Sequence, residues 1–345
     1  MNNQRVGVLG ASGYSGAELL RYLGSHPSFE VVWATAKQNA GRTVGDVFGQ
    51  LVGFADLILA PTDVGEAPEL DLAFLALPHG EAAATGRALV GKGTRVVDLS
   101  ADWRLGDPRA YDEWYGWAHP APSELGNWVY GLPELHRDRI AGAHATANPG
   151  CYPTAAILAL APALQAGALD PGGIVIDAAS GVSGAGRKVT EDYLFSELDA
   201  SYAAYRVGCH QHTPEIEQEL SSSAGTDISV TFVPHLVPMA RGLLATCYAR
   251  MNADVDAVRN ALATAYKEEP FVHVLPAGRQ PATKQVSGSN HVLIAVEADE
   301  RTATAVITCA IDNLGKGAAG QAVQNANLML GLDERAGLAA TGVFP

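Results

Sequence analysis

Two different hydrophobic rhythms divide the chain. In the first, short apolar runs alternate with helical stretches. Val6-Gly7-Val8-Leu9 has no polar position, as a strand covered on both faces requires. Gly10-Ala11-Ser12-Gly13-Tyr14-Ser15-Gly16 follows as a tight turn, then a helix over 17–23 that ends near Gly24 and Pro27, then a strand over 29–34. Buried strands recur over 71–77 and 96–99, with a helix over 81–90 between them. The stretch 105–128 is rich in Pro, Trp, Tyr and Gly. It reads as an ordered loop, because its aromatics need somewhere to pack. A strand over 143–147 leads to Cys151. Beyond it the rhythm changes: strands are expected over 172–179, 227–233, 243–251, 290–298 and 302–311, with helices over 255–267 and 312–330. This second part reads as helices on one face of a mostly antiparallel sheet. The fold class is therefore α/β: a Rossmann-type doubly wound domain plus an α+β domain.

Strand, Gly-rich turn, helix, strand is the dinucleotide-binding unit. The turn is GxxGxxG, and its place directly after an apolar strand gives it weight. The alternative is an ordinary Gly-rich βα turn. NAD readers usually carry a carboxylate at the end of the second strand. Here that end reads Ala34-Thr35-Ala36-Lys37-Gln38, with Arg42 nearby. Two cations and no carboxylate favour a 2′-phosphate, hence NADP. A solvated loop would also account for Lys37 and Arg42.

Asn148-Pro149-Gly150-Cys151-Tyr152-Pro153-Thr154 opens a long apolar helix. A thiol at a helix N-terminus is favoured as the thiolate, which is the nucleophilic form. The competing reading is a small buried residue at the start of a core helix. Further along, 180–188 is a second Gly-rich loop, beginning Ser180-Gly181 and ending in Arg187 and Lys188. It suits a phosphoryl group or a nicotinamide, or simply a flexible crossing. In Cys209-His210-Gln211-His212-Thr213-Pro214-Glu215, Thr213 is expected to cap a helix with Pro214 at its first position. In an extended segment His210 and His212 would point to one side, and either would serve as acid/base beside a thiolate. A metal pair lacks a third ligand at suitable spacing, so no metal is expected.

Composition narrows the partners. Of 345 residues, 48% are hydrophobic and 17% charged, enough for two cores and too apolar for disorder. A net charge of −14 argues against nucleic acid and anionic membranes as partners. The apolar stretch 154–169 is too short to span a bilayer, and the N-terminus has no secretory pattern. Four widely spaced cysteines fit a reducing, cytoplasmic setting.

The motifs GASGYSGAELLR (10–21), SADWRL (100–105), GLPEL (131–135), ANPGCYPT (147–154), HQHTPEIEQEL (210–220), FVPHLVPMARG (232–242) and DNLGKGAAGQAVQN (312–325) resemble those of the N-acetyl-gamma-glutamyl-phosphate reductases of arginine biosynthesis. That family is related in fold to aspartate-semialdehyde dehydrogenase. The resemblance implies an NADP-binding domain from 1–150 and 313–345, and a catalytic and oligomerisation domain over 151–312. It makes Cys151 the nucleophile and His210 the acid/base, with His212 as competitor. It puts Gly10, Ser12, Gly13, Tyr14 and Ser15 on the pyrophosphate. Thr35, Lys37, Ser180, Gly181 and Asn313 become further cofactor contacts, with Asn313 near the nicotinamide. Arg104, Asn148, Arg187, Lys188, His212 and Glu215 become substrate contacts. It implies reduction of an acyl phosphate by a homodimer or homotetramer. Two other readings stay open: the aminoadipate homologue of lysine synthesis, and a nucleotide- or redox-sensing protein without turnover.

Overall fold

The structure, a computed structural model, describes residues 3–338 and 341–343. Met1, Asn2, Ala339, Ala340, Phe344 and Pro345, all within the expected first domain, lie outside the described residues. The chain forms two compact units, Met1–Pro149 with Ala318–Ala340, and Gly150–Gly317 with Thr341–Pro345. Residues 313–317 thus lie with the second unit.

The first unit holds a seven-stranded, wholly parallel sheet. Its strands are β1 (Gln4–Leu9), β2 (Phe29–Thr35), β3 (Leu59–Ala60), β4 (Leu72–Leu75), β5 (Arg95–Asp98), β6 (Val129–Tyr130) and β7 (Ala145–Ala147). Their order is β3-β2-β1-β4-β5-β7-β6. The direction of winding reverses between β1 and β4, and ligands of such sheets bind beyond the strand ends at that point. The helix Tyr14–Leu23 follows β1 and the helix Ala82–Gly91 follows β4. The helix Gly320–Met329 packs on the Tyr14–Leu23 helix. Side-chain amides fasten it: Asn327 Oδ1 meets His26 Nε2 at 2.9 Å, and Asn325 Nδ2 donates to the Gly131 carbonyl at 2.8 Å.

Two expectations about helices need correction. The stretch 105–128 contains a helix, Pro108–Tyr115, started by Asp107, whose side chain accepts the Arg109 amide, with Pro108 in the first turn. The aromatics do pack, with Trp103 stacked on Trp128 at 4.5 Å. Nor does an α-helix begin at 312. Gly315–Ala319 is a π-helical turn, and α-helix proper starts at Gly320.

The second unit holds a mixed seven-stranded sheet. Its strands are β8 (Ile174–Gly181), β9 (Ala203–Ala204), β10 (Val230–Val237), β11 (Leu243–Arg250), β12 (Val272–Val274), β13 (Val292–Asp299) and β14 (Thr304–Ile311). The order is β12-β13-β14-β11-β8-β10-β9; only β8–β10 and β12–β13 pair in parallel. Buried and accessible positions alternate along β11, as a sheet covered on one face requires. The helices Cys151–Gln165 and Val255–Ala265 pack on this sheet, and the helix Thr213–Ala224 packs on the Cys151 helix and β10. The Cys151 helix runs straight through Pro162, which lacks the amide that Leu158 O would accept. Tyr266 supplies the missing donor: its hydroxyl reaches Leu158 O at 2.7 Å.

Candidate active site

Four cysteines compete for the role of nucleophile, and their surroundings separate them. Cys247 and Cys309 are fully buried on β11 and β14. Burial pushes the Cys247 thiol up to about 12 and the Cys309 thiol well above its ordinary value. Cys209 is exposed on a turn. Cys151 is partly exposed and is the first residue of its helix. No residue of that first turn is acidic, so the turn's own side chains do not offset the favourable end of the macrodipole.

The turn before Cys151 is tied down at both polar groups of Gly150. Its carbonyl accepts the Thr154 amide and hydroxyl, each at 2.9 Å. Its amide donates to Glu215 Oε1 at 2.8 Å. Glu215 is fully buried. Gly317 closes the other side: a Cβ there would lie 2.8 Å from the Cβ of Cys151. The π turn that carries Gly317 is held by Asp312, a buried carboxylate. It accepts the Leu314 amide at 2.9 Å, the Gly315 amide at 3.1 Å and the Arg241 guanidinium at 2.9 Å. The Gly317 amide reaches back five residues to Asp312 O at 2.9 Å.

His210 and His212 lie on a turn, not on an extended segment, yet their rings are 4.8 Å apart. The His212 amide donates to His210 Nδ1 at 3.1 Å, which brings them together. An amide can only donate, so in the neutral ring the hydrogen of His210 sits on Nε2. The ring is buried edge-on among Tyr152 (5.7 Å), Tyr205 (5.5 Å) and Phe232 (5.3 Å). Burial, helped by Arg206, lowers its pKa to about 4, so it is neutral near pH 7. Beside it the Tyr205 hydroxyl donates to Tyr152 at 3.2 Å, and Tyr152 donates to His235 O at 3.0 Å. Thr213 does not cap the following helix. It is the first helical residue, and its hydroxyl is buried without a partner.

Several of the residues expected at the ligands are also bonded within the protein. Asn313 is buried, accepts the Gly242 amide at 2.7 Å and donates to Ser183 at 2.9 Å. Ser180 is buried, with its hydroxyl on Gly181 O. Gly181 is a close-approach position, where a Cβ would meet Met239 O at 2.8 Å. Arg187 and Lys188 are exposed on the loop that follows β8.

In the first unit, Gly10 has φ +81, and a Cβ there would strike Ala76 O at 2.2 Å. This locks the turn against the end of β4. Gly13 differs: a Cβ there would meet only Gly10 O, at 3.5 Å. No packing within the protein demands glycine at 13, so the open space above it suits a close-lying pyrophosphate. Gly13 also begins the Tyr14–Leu23 helix, and no side chain among the described residues caps it. Ser12 and Ser15 are partly exposed and Tyr14 is exposed, so the turn fits a dinucleotide.

Thr35, in contrast, is fully buried, and its hydroxyl pairs with Thr62 at 2.8 Å and faces the Gly10 amide at 3.4 Å. It supports the turn through the Gly10 amide. Lys37 is exposed and lies 3.4 Å from Glu81. Arg104 and Asn148 are buried and joined: Arg104 Nε donates to Asn148 O at 2.8 Å, and Arg104 also donates to Leu99 O at 2.7 Å. Asn148 Oδ1 accepts from Asn325 at 3.0 Å.

Sequence reasoning missed Asp102, whose carboxylate accepts the amides of Gly80 (2.7 Å), Ala82 (3.0 Å) and Ala83 (2.9 Å). It holds the loop after β4 and the start of the next helix. The nearby Asp98 is fully buried, and burial first, then the Asp102 charge, push its pKa up to about 7. The signal for both was present in Asp98-Leu99-Ser100-Ala101-Asp102, two acids directly after an apolar strand.

Comparison with known proteins agrees with this architecture. Residues 5–143 match the model of the semialdehyde dehydrogenase NAD binding domain, and residues 151–313 that of the semialdehyde dehydrogenase dimerisation domain. Among solved structures, aspartate semialdehyde dehydrogenase II from Vibrio cholerae superposes with TM-score 0.73 at 19% identity, covering 96% of this chain and 99% of that one. The Candida albicans enzyme with NADP gives 0.71 at 16% identity, covering 95% and 99%. These share the fold. Two N-acetyl-gamma-glutamyl-phosphate reductases are much nearer in sequence. That of Acidothermus cellulolyticus is 52% identical and that of Desulforudis audaxviator 48%, each over 99% of both chains. With identity of that order along its whole length, and the motifs above in their places, the chain belongs to the N-acetyl-gamma-glutamyl-phosphate reductase family.

Proposed function

We propose that this protein reduces N-acetyl-glutamyl 5-phosphate to N-acetylglutamate 5-semialdehyde and phosphate, through a thioester on Cys151. The observation that carries the reading is Cys151 itself, partly exposed at a helix start and clamped between the Glu215-bonded turn and Gly317. The Cys151 thiolate attacks the acyl carbonyl carbon, and the carbon–oxygen bond to phosphate breaks. Phosphate leaves with the carbon–oxygen bonding pair and takes up one proton from water. NADPH, when bound, supplies the hydride that converts the thioester carbon to the aldehyde carbon and frees the thiolate. His210, neutral and carrying its hydrogen on Nε2, donates to the carbonyl oxygen as charge builds there. It acts as a hydrogen-bond donor, which refines its expected role as acid/base.

Gly10, Ser12, Gly13, Tyr14 and Ser15 hold the pyrophosphate through backbone and hydroxyl donors. Lys37 meets the 2′-phosphate, which no carboxylate at the end of β2 repels. Arg187 and Lys188, exposed beside the second unit's sheet, attract the anionic substrate. His212, at the start of the next helix, is a second polar contact for it. The first unit, with its returning helix, is the dinucleotide domain, and the second is the catalytic domain. The accessible face of the second sheet, including Thr246 and Tyr248, supports a homodimer or homotetramer. Free cysteines and the absence of any helix long and apolar enough to cross a membrane, among the described residues, support a cytoplasmic setting.

The test is phosphate-dependent NADPH formation from N-acetylglutamate 5-semialdehyde, with the aminoadipate analogue as comparison. Cys151→Ser should lower turnover by ~10³-fold or more and leave NADP binding intact. Mass spectrometry should find the acyl group on Cys151. A Cys151→Ser enzyme with ordinary turnover, or an acyl group on another residue, ends this reading.

A further inference from the structure

We infer that Glu215 is a positioning residue for this reaction: its carboxylate sets the Gly150–Cys151 turn and does not touch substrate. The inference rests on the reading of Cys151 as nucleophile. Gly150 is the residue that begins the Cys151 helix, and its backbone is extended (φ −67°, ψ 158°) with no side-chain cap. In a capping box, a Glu three positions into the helix reaches back to the amide of the capping residue. Here that position is Pro153, which has no such group. Glu215, 65 residues away in sequence, supplies the missing acceptor at 2.8 Å. It is a capping box completed from another helix.

The same helix start carries the histidine turn. The Thr213 amide donates to His210 O at 2.9 Å and the Ile216 amide to His212 O at 3.1 Å. One bond from Glu215 therefore registers both the nucleophile and the histidines against each other. Glu215 is fully buried, and its Oε1 lies on the Gly150 amide, so substrate has no access to it in this arrangement. Displacing a nucleophile by about 1 Å costs on the order of 10²-fold in rate. Loss of this bond should therefore appear in kcat.

Two variants of similar polarity test this. Glu215→Gln keeps the reach and an acceptor oxygen. Glu215→Asp keeps the charge but falls one methylene short. We expect the Gln variant to stay within ~3-fold of wild type in kcat. We expect the Asp variant to lose ~10–100-fold in kcat with KM for the acyl phosphate changed by less than ~2-fold. Alkylation of Cys151 by iodoacetamide, measured without substrate, should slow in the Asp variant and not in the Gln variant. A KM raised ~10-fold in either variant with kcat intact would identify a substrate contact and overturn the inference. So would a Gln variant as slow as the Asp variant, or an Asp variant with ordinary kcat and alkylation. Should the Asp variant fail to fold, the Gln variant still decides by its kcat and alkylation rate. The alkylation arm needs no acyl phosphate, so it stands even if the wild type proves not to turn that substrate over.

Discussion

Gly317 and Cys151 are in backbone contact: a single added carbon at 317 would sit 2.8 Å from the Cβ of the thiol-bearing residue. Real Cβ atoms do not approach so closely, and both neighbours are constrained. Gly317 is fastened to Asp312 O, and Gly150 to Glu215 and Thr154.

Gly317→Ala must therefore push the Cys151 helix start or the π turn aside. The expected cost is about 1–3 kcal/mol of stability, read as a lower denaturant midpoint. Alkylation of Cys151 should change with it, because the thiol moves relative to its helix end. Unaltered stability and alkylation would show that the contact is slack.

His210 should behave as a neutral donor. Its pKa is lowered to about 4, so kcat should show no limb from this ring between pH 5 and 8. His210→Gln, which keeps an N–H donor, should retain more activity than His210→Ala, for which a loss of ~10²–10³-fold is expected. The sign for stability follows from the same shift. The unfolded ring takes up a proton near 6.5 and the folded ring only near 4. Stability from this group is thus full above about 6.5 and lost as pH falls towards 4. A pH–rate limb near 6.5 that vanishes in His210→Gln would contradict the donor role.

Asp98 gives the opposite slope. Folded, it holds its proton up to about pH 7, whereas its ordinary value is 3.8. Folding therefore takes up a proton in that window, and stability falls as pH rises from about 4 to 7. Chemical denaturation of Asp98→Asn at pH 5 and pH 8 should show a smaller difference than the wild type. An unchanged difference would mean that Asp98 is ionised in the fold.

Asp102→Ala removes the acceptor from three amides at once. A loss of about 3 kcal/mol is expected, since bonds to a charged acceptor are worth about 1.5–3 kcal/mol each and water recovers part of the loss at Gly80. The loop it holds follows β4, whose end packs against Gly10, so KM for NADPH should rise more than kcat falls. An unchanged KM for NADPH would separate this loop from cofactor binding.

Much of this was legible along the chain. The β1–turn–helix–β2 unit lies where its apolar run and glycines put it, because each part is specified by neighbours within 30 residues. Cys151 at a helix start was equally local. The internal bonds of Thr35, Asn148, Glu215 and Asn313 were not, because a polar residue beside a glycine looks the same whether it faces a ligand or a distant amide. The helix at Pro108–Tyr115 hid behind aromatics, and the π turn at Gly315 hid inside a run of small residues suited to an ordinary helix. Pro162 sits inside the Cys151 helix, where the Tyr266 hydroxyl, 108 residues away from Leu158, serves the stranded carbonyl.

Local composition and periodicity determined the two domain types, the dinucleotide turn and the position of the reactive thiol, since each depends on hydrophobic spacing and on backbone freedom at a few glycines. Tertiary structure alone decided which polar groups remain available for chemistry. A carboxylate such as Glu215 or Asp312 is assigned by whichever amide lies within about 3 Å of it once folded, and that amide may be 65 residues away in the chain.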